Sequence, residues 1–143
     1  MAGQEKGAGV LVFRREEKEI LFLLLFKIKY GTGYWDLVKG RMEPGETALQ
    51  TARRESQEET ALADLQFVSG FEEKLAWQYR LDGTPVKKTV TYYLAETKSV
   101  EVTISPEHKK SGWFTLAEAE KVLNHNDTKE LLRKAQKFLD KHS

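Results

Sequence analysis

Residues 40–62 (GRMEPGETALQTARRESQEETAL) hold the densest set of groups able to do chemistry, with Glu55, Glu58 and Glu59 falling within five positions. On an α-helix, positions i, i+3 and i+4 share one face, so these three carboxylates are expected to point the same way. Like charges four apart destabilise a helix by roughly 0.2–0.5 kcal/mol per pair. A bound divalent cation is the most economical compensation, and hard cations such as Mg²⁺ take carboxylate oxygens together with substrate phosphates. The competing reading is a solvated acidic face without a ligand. The flanking residues weigh against it. Gly40 is expected to open a loop, Pro44-Gly45 to make a turn, and Glu46 to stand at the helix start. Arg54 lies i, i+4 from Glu58, where it can hold a carboxylate in place.

The rest of the chain has to position that helix. Residues 7–13 (GAGVLVF) read as a first strand in which small residues allow close backbone packing, and 14–18 as a charged turn. Residues 19–26 (EILFLLLF) are apolar on both faces, as in a central strand covered on two sides. Residues 27–33 read as a loop, and 34–38 as a short extended piece leading into Lys39-Gly40. The helix is expected over about 47–60, with Leu49, Ala52 and Ser56 facing inward. Residues 65–81 are extended, Asp82-Gly83 is a hairpin turn, and 86–96 form the return strand, with Val90, Tyr92 and Leu94 on one face. Residues 100–104 read as a short extended piece and 110–114 as a last strand. Capping boxes at Thr115/Glu118 and Asp127/Glu130 open two final helices, the second carrying an apolar stripe of Leu131, Leu132, Ala135, Phe138 and Leu139. Strands, an acidic helix, more strands and two helices in that order give an α/β fold, an α/β/α sandwich with a central mixed sheet, and 1–143 as a single domain.

Composition narrows the functional classes. The 143 residues are 40% apolar and 31% charged, an ordinary globular balance. With 23 basic and 22 acidic residues the net charge is +1, which argues against a stable nucleic-acid complex and against an anionic membrane surface. There is no cysteine, hence no disulfide framework, thiolate chemistry or Cys-type zinc site. The first residues lack the apolar run of a signal peptide, and 20–26 fall far short of the ~20 residues that span a bilayer. A soluble, cytoplasmic, monomeric protein is the expectation.

The acidic stretch resembles the Nudix box. Gly40, Glu46, Arg54, Glu55, Glu58, Glu59 and Leu62 match that pattern at its spacing. Ser56 stands where an aliphatic residue is usual and Ala61 where the box closes on Gly. A non-glycine residue in the left-handed conformation expected there costs on the order of 1 kcal/mol. Together with YWDLVKGRMEPGE, the stretch 71–96 and SPEHKKSGWFTLAEA, the box makes most of the chain similar to the asymmetrical diadenosine tetraphosphate hydrolases of the Nudix superfamily. That group often carries Thr at the position of Ser56 and usually Pro-Pro where Leu37-Val38 stands.

The resemblance implies Mg²⁺ (or Mn²⁺) as cofactor, a small nucleotide as substrate, and water attack on a phosphorus atom of a polyphosphate. It implies Glu55 and Glu59 as metal ligands, then Glu58, with the Gly40 carbonyl assisting. It adds Glu107, which taken alone reads as a surface residue after the Ser105-Pro106 turn. Glu59, Glu55 or Glu107 is the general base, and Arg54 orients Glu55 or Glu58. Lys39, Lys87 and Lys88 supply point charges for phosphate, although Lys87 and Lys88 also suit a merely soluble edge strand. Tyr79 matches a tyrosine that stacks on adenine in that group, and Tyr34 and Trp35 flank the motif, Trp35 also being suited to a core. The group's second stacking aromatic falls near His125-Asn126, where neither residue is Tyr. His108 reads as structural or exposed.

The reaction implied is diadenosine tetraphosphate to ATP and AMP. Alternatives are a pyrophosphohydrolase acting on another nucleoside diphosphate derivative, an RNA 5′ end or a diphosphoinositol, and a catalytically silent nucleotide-binding module. Silent modules typically lose box glutamates; here they are all present.

Overall fold

The computed structural model describes residues 3–106 and 108–142. In chain order its elements are β1 (Gly3–Glu16), β2 (Glu19–Lys29), β3 (Thr32–Asp36), β4 (Val38–Arg41), α1 (Ala48–Thr60), β5 (Gln66–Leu81), β6 (Thr84–Glu96), β7 (His108–Phe114), α2 (Leu116–Val122) and α3 (Asn126–Lys141). The strands form one sheet in the order β3-β2-β1-β6-β5, with β4 paired to β1 and β7 to β2. β1 runs parallel to β6, and the other pairs are antiparallel. The sheet is therefore mixed, as expected.

Period-two alternation sends side chains to opposite faces. Ala8, Val10, Val12, Leu23, Leu25 and Val38 meet Ala52 and Leu62 on the α1 side. Leu11, Phe13, Phe22, Leu24, Val90, Tyr92 and Leu94 meet Leu123, Leu131, Leu132, Ala135 and Leu139 on the α2–α3 side. Helices cover both faces, which makes the α/β/α sandwich. The both-faces-apolar pattern of β2 and the shared face of Val90, Tyr92 and Leu94 are as read from the sequence.

Two details set the acidic helix in place. A Cβ at residue 7 would lie 2.7 Å from the Gly40 carbonyl oxygen, so glycine there lets β4 approach β1. At the start of α1, Thr47 caps the helix and closes a box with Gln50. At its end Ala61 takes the left-handed conformation (φ 56°) that glycine usually fills, and its N–H donates to the Gln57 carbonyl at 2.9 Å. The helix end keeps its geometry despite the missing glycine, at a conformational cost on the order of 1 kcal/mol.

Several expectations are corrected. β1 is longer than 7–13, and the charged turn shrinks because Arg14 and Arg15 remain in the strand. Residues 27–33 are not a loop: β2 continues to Lys29, turns at Tyr30-Gly31 and returns as β3. Gly40 lies within β4, opposite Ala8, rather than opening a loop. Leu49 is 37% exposed; the face meeting the sheet is Thr51, Ala52, Ser56, Glu59 and Thr60. Residues 100–104 form no strand, and are tied down instead by Trp113 Nε1 donating to the Val100 carbonyl and the Thr103 amide donating to the Thr60 carbonyl. The Thr115/Glu118 box forms. At α3 the cap position is His125, without a side-chain cap bond, and Asp127 lies inside the first turn, where its charge still complements the helix dipole.

Candidate active site

Arg54 is the centre of the acidic cluster. Its Nε donates to Glu46 Oε2 at 2.7 Å and its Nη2 to Glu46 Oε1 at 3.0 Å, a fork grip on one carboxylate. Nη2 also donates to the Arg41 carbonyl at 2.9 Å, fastening α1 to β4. Nη1 reaches Glu55 Oε1 at 3.0 Å and Glu58 Oε2 at 3.3 Å. Arg54 thus touches both carboxylates it was expected to orient, but its principal partner is Glu46. Glu46 also accepts from the Glu43 amide and the Thr51 hydroxyl. The Arg54 hydrogen bonds first, then the Glu43 amide, hold its carboxyl down to about 2. The same bonds hold the guanidinium well above its ordinary range. Glu46 is therefore the anchor of the loop 41–47, a part the spacing alone did not assign to it.

The three clustered carboxylates do not share one direction. Glu58 is 56% exposed and leans on Arg54 at the rim. Glu55 folds against Gly40 so closely that a Cβ on residue 40 would overlap its carboxyl group. Burial first, then the charge of Glu59, push Glu55 above the usual carboxylate range, with Arg54 opposing. Glu59 is buried; its Oε1 accepts from the Lys39 amide at 3.3 Å, and its Oε2 lies 3.3 Å from His108 Nε2. The split follows from helix geometry: Glu55 and Glu59 lie one turn apart facing β4, while Glu58 lies 60° round from the nearer of them toward solvent. Glu107 lies outside the described residues.

This donor set suits a hard divalent cation. Glu55 crowds the glycine cradle on β4, Glu59 lies on the neighbouring Lys39 amide, both present oxygen ligands, and the charge of Glu59 bears on Glu55. Among the described residues no three acidic or histidine groups already converge on one point.

Beside the cluster lie two cavities. The smaller, about 320 Å³, is lined by Lys27, Lys29, Lys39, Gly40, Arg41, Glu59, Lys88 and His108. The larger, about 580 Å³, is lined by Trp35, Asp36, Trp77, Tyr92, Leu123, Asn124, His125 and Asp127, among others. Lys29, Tyr34 and Lys39 line both, so the two adjoin along that edge. Lys39 Nζ lies 5.3 Å from the centre of the Trp77 ring and Lys88 Nζ 5.7 Å, within cation–π range. Burial first, then the charge of Lys39, lower the Lys88 ammonium below its usual range, against the pull of Glu5.

Of the residues read from the sequence, the fold brings Tyr34, Lys39, Gly40, Glu59 and Lys88 to the smaller cavity, and Glu55 lies against Gly40. It does not bring Tyr79 or Lys87. The Tyr79 hydroxyl donates to Glu5 instead, and Lys87 is exposed, directed by strand alternation to the face opposite Lys88. The aromatic facing the cavity is Trp77, paired directly with Lys88. The signal was present: a two-residue turn at Asp82-Gly83 pairs 81 with 84 and therefore 77 with 88. Trp35 lines the larger cavity and also packs edge-on against Phe26 and Phe114, so wall and core coincide there. His108, read as structural or exposed, is buried beside Glu59. Asp36 lines the larger cavity without any motif or spacing signal in the sequence.

The fold and the box match a known protein family. The NUDIX domain family matches residues 3–135, and the chain belongs to it. It is 36% identical over 146 residues to the asymmetrical bis(5′-nucleosyl)-tetraphosphatase of Sus scrofa, a match covering 94% of this chain and 95% of that one. The Caenorhabditis elegans protein of the same name is 33% identical over 135 residues, covering 94% and 96%. The structure of a C. elegans Ap4A hydrolase binary complex superposes with a TM-score of 0.83 at 33% identity, over 95% of this chain and 98% of that one. Among the described residues no helix is long and apolar enough to cross a membrane.

Proposed function

We propose that this protein is a divalent-metal-dependent hydrolase that cleaves diadenosine tetraphosphate to ATP and AMP. The observation that carries the reading is the junction at Lys39. Its backbone amide meets a box glutamate, and its ammonium lies on the ring of Trp77. One residue therefore touches both a carboxylate suited to a metal–phosphate complex and an aromatic wall suited to a nucleobase. Full-length similarity to two proteins named for this activity supports the choice of substrate.

Glu55, Glu59 and the Gly40 carbonyl would hold Mg²⁺ or Mn²⁺, with Glu58 at the rim and Glu107 from outside the described residues. When bound, the cation supplies a lowered water pKa and neutralises charge on the phosphate oxygens. Arg54 keeps Glu55 and Glu58 from drifting apart. Lys27, Lys39 and Lys88 bind the polyphosphate. Trp77 stacks on one adenine, a contact worth roughly 1–3 kcal/mol. Glu59, Glu55 or Glu107, whichever does not hold the cation, would take the proton of the attacking water; Glu59 lines the lysine-lined cavity. The water oxygen bonds to phosphorus, the bridging P–O bond breaks, and the leaving phosphate departs as part of one product nucleotide.

The test is incubation with diadenosine tetraphosphate and Mg²⁺, in parallel with ADP-ribose, nucleoside triphosphates and capped or triphosphorylated RNA, with the products resolved. ATP and AMP in equal amounts, from the preferred substrate, are expected. Two ADP per substrate would reject the asymmetrical cleavage, and no turnover of any substrate would point to a nucleotide-binding module.

A further inference from the structure

Asp36, its side chain 14% exposed, is a carboxylate in the wall of the larger cavity, outside the box. Two neighbouring strands reach it at the end of β3. Lys39 Nζ on β4 lies 3.2 Å from its Oδ2, and Lys27 Nζ on β2 lies 3.6 Å from the same oxygen. The Leu37 amide donates to its Oδ1 at 2.8 Å, while Lys27 also donates to the Leu37 carbonyl at 3.3 Å. Burial alone would push this carboxyl up, but the charges of Lys27 and Lys39 and the Leu37 amide more than offset it and hold the group below its usual range.

Both ammonium groups reach one oxygen, so they stand no more than about 7 Å apart. In a partly dry cavity two such charges repel strongly when nothing lies between them. One carboxylate restrains both without neutralising both, and a positive charge is left over. That surplus sits where the cavities adjoin, since Lys39 lines both and Lys27 the smaller.

We propose that Asp36 is a positioning residue that holds Lys39 and Lys27 as one prearranged cation pair at the junction of the two cavities, ready for a polyphosphate chain leaving the aromatic wall. This rests on reading the cavities as a polyphosphate site. In that role Asp36 touches no substrate. It lowers the cost of ordering two long side chains at the moment of binding, so its loss falls on affinity and KM more than on kcat.

The experiment is a double-mutant cycle of Asp36→Asn, Lys39→Met and the two combined. KM and kcat are measured with diadenosine tetraphosphate and Mg²⁺, ATP binding is measured by calorimetry without metal, and each variant is melted to confirm folding. Lys39→Met is expected to weaken ATP binding and raise KM about tenfold, the scale of a lost charge-assisted hydrogen bond. Asp36→Asn is expected to weaken ATP binding and raise KM several-fold with kcat within about twofold, and the double variant to lose less than the product of the two single effects, since only Lys27 is then left to be released. Effects that multiply independently, or an Asp36→Asn variant binding ATP like wild type, would overturn the proposal, as would a loss confined to kcat. If Asp36→Asn does not fold, Asp36→Ser keeps a partner for the Leu37 amide and carries the same test. Wild-type protein that neither binds ATP nor turns over any nucleotide would instead defeat the reading of the site, so the two failures are distinguishable.

Discussion

Two charge clusters flank β4, and they are built to opposite rules. On the α1 side one guanidinium, Arg54, stands among the carboxylates of Glu43, Glu46, Glu55 and Glu58. On the cavity side the ratio inverts. Asp36 is shared by Lys27 and Lys39, and Glu5 by Lys88 and Arg41. The first cluster lacks positive charge and the second lacks negative charge. A cation bound to a polyphosphate supplies both deficits at once, with each partner meeting the side that needs it. The net charge of +1 conceals this separation entirely; the sign of the ligand is written in the local imbalance.

Removing the function of the acidic side should have the largest effect. Glu59→Gln is expected to lower kcat by roughly 10²–10⁴-fold, the range of a lost general base, with little change in ATP binding measured without metal. Full activity in that variant would break the assignment of the acidic cluster as the reacting side. Gly40→Ala probes the same side without altering a charge. The added Cβ overlaps the end of a flexible side chain, Glu55, so the carboxylate should shift while the fold holds. A kcat loss on the order of 10²-fold is expected from a displacement of that size, with the melting temperature nearly unchanged.

The cavity side should respond in KM. Trp77→Ala is expected to cost roughly 1–3 kcal/mol of nucleotide binding, while Tyr79→Phe, which loses only the hydroxyl contact to Glu5, should change KM less than about twofold. If Tyr79→Phe were the more damaging, the register argument for Trp77 would be wrong. Lys88→Ala should raise KM about tenfold, and its exposed neighbour Lys87→Ala hardly at all. Equal effects would mean that the polyphosphate meets both faces of β6.

The smallest effect concerns stability. The Glu46 carboxyl falls from an ordinary 4.5 to about 2 in the folded protein. Because the folded value is the lower one, its stabilisation is fully present above the unfolded value and is lost as pH falls through the folded one. Between pH 4.5 and 2 the melting temperature of the wild type should therefore drop more steeply than that of Glu46→Gln. Parallel curves would show that the Arg54–Glu46 fork does not contribute to the acid limb.

The acidic side was largely legible because its parts are local. Gly40, Glu46, Arg54, Glu55 and Glu59 lie on one continuous run through the end of β4, the loop 41–47 and α1, and helical periodicity fixes which of the helical ones share a face. Even so, the same periodicity was applied too simply to Glu58, which the helix turns toward solvent. The cavity side was legible only in pieces. Lys39 and Lys88 line the cavity, whereas strand alternation turns Lys87 to the other face and the hairpin register sets Trp77, two residues before Tyr79, opposite Lys88. Asp36 and Glu5 were missed because an isolated acidic residue in a strand carries no spacing signal.

The sequence by itself determined the composition of the reacting helix, its cap and end, the alternation of the strands and, through Asp82-Gly83, the pairing of β5 with β6. Local geometry suffices for these, since each depends on residues a few positions apart. Only the tertiary structure decided which carboxylate each lysine meets. Asp36 finds Lys27 across β2 and β3, Glu5 finds Lys88 through the parallel pairing of β1 with β6, and His108 arrives beside Glu59 through the pairing of β7 with β2. Those meetings depend on strand order and on register, where a slip of one residue would reverse every side chain involved.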